Sequence, residues 1–459
     1  MNDRLSKLKT NLDKVGCGFC LAKWTQVTLH LSTGMTHSCH HPEPHKIPLT
    51  EIKRNPSALH NTSFKKKKRK EMLEGKRPEE CNFCWNIEDN SNSFSDRVFK
   101  SSEPWSLDQF ENIKNSFWRT DYNPRYVEVS FSNTCNFKCA YCGPQFSSKW
   151  IEELEKFGPY PTSGKFNGMS EFIKKGTLPY KQSEDNPYVE AFWKWWPDLY
   201  KDLHTFRITG GEPLLSKDTW KVLEYIQNNP NVNRNLSLSI NTNLGVPDVL
   251  VDRFIDIAND LCTNNKVREL TIFTSIEATG KQAEYLRTGL NEEVFWSNVE
   301  KVLNRLPKVT VTVMATYNAL SVFTYSEVIE KVMVLKTKYA NTQRYWISAI
   351  QLDTSYLRYP SHLSVKILSR KDKELIRKSA EKMLYYGIRK FTPGEIGFSN
   401  TEIQKIKRVY DYASSHDTFN IKQNRKDFKI HMMEKDKRNG TNFKEVFPEL
   451  ERFIDRITI

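Results

Sequence analysis

The chain has 459 residues, enough for roughly three domains and a substantial core. Its 11 Trp, 19 Tyr and 26 Phe argue against wholesale disorder, and no apolar run approaches the ~20 residues of a membrane-spanning helix. The net charge of +14 admits a polyanionic partner, but the basic residues are spread along the chain and no RNA-binding signature accompanies them. The first nine residues lack the apolar core of a secretory signal, so a cytoplasmic location is expected. In that compartment nine cysteines, most of them closely grouped, read as metal ligands rather than disulfides.

The first hundred residues begin with Cys17-Gly-Phe-Cys20. Residues 24–32 alternate like a strand, Gly34 is a turn candidate, and a second short strand leads to Cys39. A lysine-rich helical stretch then precedes Cys81-Asn-Phe-Cys84. Two CxxC pairs with a cysteine between them are a strong metal signal, because each pair chelates from one tight turn. Five cysteines compete for four positions, and on spacing alone a zinc ribbon and an iron–sulfur site are equally good readings. His37, His40, His41 and His45 crowd around Cys39 as further candidate zinc ligands, although each taken singly reads as a loop histidine. The run Lys65–Lys70 has the composition of a nuclear-localisation or nucleic-acid patch. Its position before a helix end closed by Gly75 favours a solvated helix face.

Residues 101–124 read as a connector with one short helix at 107–118. Strands and helices then alternate. Strands are expected at 126–131, 205–209, 236–240, 270–276, 309–315 and 345–351. Helices are expected at 146–157, 189–203, 217–228, 247–261, 294–306 and 326–338. The segment 158–187, rich in Gly, Pro and Ser, is expected to run over the surface. Phe192, Trp193 and Trp196 in the helix after it read as core, and Cys262 as a buried core thiol. About six β/α units imply an α/β fold with a parallel sheet and right-handed crossovers. Five strands end in polar or glycine-rich turns, and in a parallel barrel such ends gather on the rim where active sites sit. Beyond residue 356, helical periodicity recurs at 371–386, 401–414 and 443–459, with a turn-rich joint at 391–398. No motif marks this tail, which is expected to form a helical cap.

The chemistry centres on the loop after the strand at 126–131. There Cys135, Cys139 and Cys142 form a CxxxCxxC array. Iron–sulfur clusters normally take four cysteines, so three on one loop leave an iron open to a ligand that is not protein.

Those cysteines, Tyr141 before the last of them and the turn Gly210-Gly211-Glu212-Pro213 resemble the radical S-adenosylmethionine (SAM) superfamily. The resemblance covers roughly residues 17–320 and implies a partial (β/α)6 TIM-like barrel. It implies a 4Fe-4S cluster on Cys135, Cys139 and Cys142, whose open iron is chelated by SAM. One electron, from a donor such as flavodoxin or ferredoxin, then cleaves the sulfonium to methionine and a 5′-deoxyadenosyl radical that abstracts a substrate hydrogen. By the same resemblance Gly210, Gly211 and Glu212 face the methionine ammonium. Asn241 and Asn243 meet ribose hydroxyls, Ser275 and Arg287 complete the pocket, and Tyr141 flanks adenine or packs beneath the cluster. Glu277 stands where relatives often carry aspartate.

Cys20-x-x-x-Trp24, Gly34-x-x-x-x-Cys39 and the run from Met72 to Cys84 resemble a twitch/SPASM auxiliary-cluster module. Lys23 replaces the proline frequent in relatives, and the module precedes the barrel instead of following it. This resemblance favours an auxiliary iron–sulfur cluster over zinc, on Cys20, Cys39, Cys81 and Cys84 with Cys17 as the spare. The implied division is an auxiliary module at 1–100, a connector at 101–124, the barrel at 125–355 and a mainly helical extension at 356–459. The function implied is oxidative modification of a peptide, protein or small molecule. The alternatives are radical SAM modification of a nucleic acid or sugar nucleotide and, in another class, a non-catalytic zinc protein that binds nucleic acid.

Overall fold

The strand Gln26–His30 buries side chains on both faces, as interior parallel strands do. It runs parallel to Tyr126–Ser130, with Gln26 opposite Tyr126 and His30 opposite Ser130. This pairing belongs to a computed structural model that describes residues 2–340, 348–388, 396–415 and 418–458. The chain is an α/β protein whose main sheet is mostly parallel. It divides into two compact units, Met1–Ser132 with Pro179–Gly210 and Asn229–Ser239, and Asn133–Leu178 with Gly211–Asn228 and Ile240–Ile459. The division does not fall at residue 100, because the cysteine-rich module shares a sheet with the strand that precedes the CxxxCxxC loop.

In the first unit the strands lie in the order His45–Lys46, Met35–His37, Gln26–His30, Tyr126–Ser130, Thr205–Thr209. The first three are antiparallel neighbours and the last three parallel ones. Helix Asn2–Val15 presents Leu5, Leu8 and Leu12, spaced for one helical face, to a core shared with Phe19, Trp24 and Met72. Helix Pro187–Asp202 starts with proline in its first turn and Asn186 as its cap. It buries Phe192 and Trp196 fully, and the Trp196 ring lies 4.9 Å from that of Phe206. Phe192 and Trp196 are core, as their spacing implied, whereas Trp193, expected beside them, is half-buried. The helix expected at 107–118 is instead two short pieces, Pro104–Leu107 and Phe110–Lys114.

The strand Ser237–Asn241 carries the chain into the second unit, where Glu269–Ser275, Thr310–Tyr317 and Ile350–Tyr356 run parallel in that order. Lys138–Cys139 and Arg287–Thr288 form a separate antiparallel pair. The last main strand begins five residues later than expected, and residues 341–347 lie outside the described ones. The start of the segment 158–187 is not a surface run: Tyr160 and Phe166 pack on Trp150. Cys262 is half-buried rather than a core thiol.

The tail is helical at Arg370–Tyr385 and Asn400–Ser414, as expected. The turn-rich joint at 391–398 lies mostly outside the described residues. Pro448 interrupts the helix expected at 443–459, leaving Phe443–Val446 and Glu451–Asp455. Helix Ile421–Asn439, 19 residues long, has no counterpart in the sequence reading.

Candidate functional site

The CxxxCxxC loop is held by hydrogen bonds that its own polar residues and those of the following helix supply. Asn133 donates to the carbonyl of Pro144, Ser147 to that of Phe137 and Trp150 to that of Cys139. The Cys142 backbone N–H bonds to the Cys139 carbonyl at 3.0 Å, which turns two of the three thiols together. Burial pushes the Cys135 thiol up to about 12, and Cys139 and Cys142 also lie above the ordinary thiol range for the same reason. The charge of Cys139 adds to the rise at both Cys135 and Cys142, and Cys135 adds to that at Cys142. Such thiols keep their protons until a metal displaces them. The unit's remaining cysteine, Cys262, ends helix Asp248–Thr263 and takes no part.

Arg287 sits opposite Cys139 in the short antiparallel pair. It donates to Cys139 Sγ at 3.5 Å, to the Tyr141 hydroxyl at 2.5 Å and to Glu277 Oε2 at 2.7 Å. All three partners come from the expected site. Burial opposes the guanidinium charge, but Glu277 outweighs it and holds Arg287 protonated. Tyr141 is thus fixed by its hydroxyl, and Glu277 by the ion pair.

The Gly-Gly-Glu-Pro turn lies against the same loop. Gly210 has φ +125°, and a side chain on Gly211 would meet the Thr134 carbonyl at 2.3 Å, so neither position accepts a β-carbon without displacement. Glu212 is buried; its backbone N–H donates to Thr134 O, and its carboxylate accepts from the N–H groups of Leu214 and Asn243. Burial raises this carboxyl to about 7. Pro213, also buried, opens the short 3-10 turn that follows. The Asn243 side chain donates to Asn136 Oδ1 at 2.8 Å and accepts from the Gly245 N–H, while Asn136 donates to the Gly245 carbonyl. One network therefore joins the cysteine loop, the Gly-Gly-Glu-Pro turn and the Asn241–Asn243 turn. Asn241 reaches Met314 Sδ at 3.8 Å, and Ser275 is the register partner of Met314.

Several residues at this loop escaped the sequence reading. Asn136 and Lys138 lie inside the motif, and their polarity was the one available signal. Asn167 donates to the Cys142 carbonyl. Lys138 pairs with the buried Glu153 and bonds to Asn439 of helix Ile421–Asn439. From the same helix Lys435 donates to Thr288 at 2.6 Å, and its charge acts on Cys139. Burial, reinforced by Lys138, lowers this ammonium to about 7. Nothing local in the sequence marks Lys435.

In the first unit Cys20, Cys39, Cys81 and Cys84 line one small pocket, together with Lys23 and Met72. Burial pushes the Cys20 thiol up to about 12, with further contributions from the other three, and raises Cys84 to about 11. Cys17 is exposed and turned to the Gly75 carbonyl. His37 stacks against His30 and lies beside the Cys39 carbonyl, and His45 bonds Thr62. His40 and His41 gather on Asp96, with ligand atoms within 4.8 Å of one another. The run Lys65–Lys70 is split: Lys65 and Arg69 are fully buried, whereas Lys67 and Lys70 are exposed. It is therefore not a solvated face throughout.

No protein-family model matches the chain, and no curated protein matches it significantly.

Proposed function

We propose that the chain is a radical SAM enzyme of the twitch/SPASM type, an oxidoreductase-like catalyst whose β/α units form a partial (β/α)6 barrel. The observation that carries this reading is the three-thiol loop tied to the Gly-Gly-Glu-Pro turn through Glu212, Asn243 and Asn136. Three thiols without a fourth suit a 4Fe-4S cluster with one iron left for SAM. When bound, that cluster supplies the electron that cleaves the SAM sulfonium and so generates the hydrogen-abstracting radical.

The chain's own residues position and polarise. Arg287 stabilises the Cys139 thiolate through its Nη1–H and stays charged through Glu277. Glu212 spends both carboxylate oxygens on backbone N–H groups, so it fixes the turn, and the glycine backbone is what meets the SAM ammonium. Asn243 is committed to Asn136 and Gly245, which favours Asn241 and Ser275 over it for the ribose contacts. Cys20, Cys39, Cys81 and Cys84 hold an auxiliary iron–sulfur cluster, placed in the reaction as electron acceptor or substrate ligand. The substrate is a peptide, protein or small molecule that undergoes oxidation, and a flavodoxin- or ferredoxin-type protein is the electron donor.

Anaerobically reconstituted protein is expected to be brown, to contain about eight irons, and to release 5′-deoxyadenosine from SAM under reduction. Cys139→Ala is expected to abolish that release. Colourless protein with stoichiometric zinc and no iron would overturn the proposal.

A further inference from the structure

Helix Ser63–Leu73 turns Lys65, Arg69 and Met72 inward, spaced for a single helical face. Met72 lines the four-cysteine pocket. Lys65 donates to Thr36 Oγ1 at 2.9 Å, three residues before Cys39, and to His60 Nδ1 at 3.4 Å. Arg69 donates to the carbonyl of Lys23, three residues after Cys20, and to Asn61 Oδ1. Neither cation touches a carboxylate among the described residues. The carboxylates nearby are already engaged: Glu80 with Lys23, Asp96 with His40 and His41, Glu88 with Arg97, and Asp121 with Lys66 at 2.6 Å. Two fully buried positive charges without a counter-ion cost several kcal/mol. Burial and the neighbouring Arg69 and Lys23 drive Lys65 towards its neutral form, and Cys39 is among the few groups that oppose this.

Four thiolates around a doubly charged metal core leave two negative charges; Lys65 and Arg69 supply two buried positive ones, behind the pocket-lining Lys100, which acts on Cys39. We infer that Lys65 and Arg69 are a buried cationic seat for the group held by Cys20, Cys39, Cys81 and Cys84, retaining it as a dianion and favouring its one-electron reduction. The second half of the inference rests on the iron–sulfur reading of that site; the first holds for any divalent core. Neither residue touches a thiol: Lys65 is coupled to Cys39 by charge, Arg69 holds the Lys23 carbonyl, and both are positioning residues. Reduction adds a third negative charge to the centre, so cations fixed in a dry surround raise its potential. This suits a centre that accepts an electron from substrate.

The test uses the full chain carrying Cys135→Ala, Cys139→Ala and Cys142→Ala, so that the four-cysteine site alone gives a signal. Lys65→Met is expected to release metal to a chelator about tenfold more readily, and Lys65→Arg to restore retention. Where the site holds iron, Lys65→Met is expected to shift the reduction equilibrium about tenfold towards the oxidised form, about 59 mV for one electron, in an anaerobic titration followed by electron paramagnetic resonance. Lys65→Gln removes the same charge while keeping a polar group for Thr36, and keeps the test decisive should Lys65→Met fail to fold. A zinc-only site would remove the auxiliary cluster from the proposed reaction, and chelator retention would still decide the seat. Unchanged retention in a folded Lys65→Met or Lys65→Gln protein would overturn it.

Discussion

Glu212 shows how one buried carboxyl couples the site to pH. Burial raises it from 4.5 to about 7. The unfolded chain ionises near 4.5 while the folded one keeps its proton until about 7, so between those values the native state binds more protons. Stability from this group is present below pH 4.5 and lost as pH rises through 7, by about 3 kcal/mol at most. Urea unfolding of wild type and Glu212→Gln is expected to show a stability gap that narrows from pH 5 to pH 8. Gly211→Ala forces a β-carbon onto the Thr134 carbonyl. It should cost about 1–3 kcal/mol and reduce iron bound at the CxxxCxxC loop, read by thermal unfolding and iron assay. The CxxxCxxC array and the Gly-Gly-Glu-Pro turn were legible because their spacing is local. The Asn136–Asn243 bond was not, since it joins residues 107 positions apart and asparagine is common in turns.

Among the elements, the helices and strands of the β/α alternation were legible within a few residues, because each carries its own apolar period. Helix Ile421–Asn439 carries almost none. Phe428 and Met432 are its buried apolar residues, and the rest of its inner face is Asp427, His431 and Lys435. Polar groups bury there because partners lie in distant segments: Asp427 accepts from Ser163, and His431 meets His362 at 2.7 Å. Arg438 stacks on Tyr160 at 4.1 Å and donates to the Gly158 carbonyl. Arg438→Ala is therefore expected to destabilise the second unit by about 3 kcal/mol, measured by urea unfolding. The basic run gives the opposite lesson. Composition reads Lys65–Lys70 as one surface, whereas helical geometry divides it. Lys67→Gln and Lys70→Gln should change stability by less than about 0.5 kcal/mol, and Met72→Ala, one turn on, by about 2–5 kcal/mol.

For the molecule as a whole, each cysteine site lies within one unit, so the two should load separately. Replacing Cys135, Cys139 and Cys142 by alanine is expected to leave roughly four irons. Cys81→Ala is expected to spare uncoupled SAM cleavage and block turnover of the true substrate; unchanged turnover would remove the auxiliary site from the reaction. The division into units was not legible in the sequence, because it depends on strand Gln26–His30 finding Tyr126–Ser130. That pairing has a consequence during synthesis. Gln26 waits for Tyr126, one hundred residues on, and Tyr126 for Thr205. At ribosomal speed the first interval alone lasts roughly 5–20 s. Throughout it that strand edge is unpaired, whereas every residue lining the four-cysteine pocket, from Cys20 to Lys100, is made before Tyr126. The edge that Gln26–His30 leaves open, not the cysteine pocket, is therefore what synthesis exposes longest to pairing with another chain.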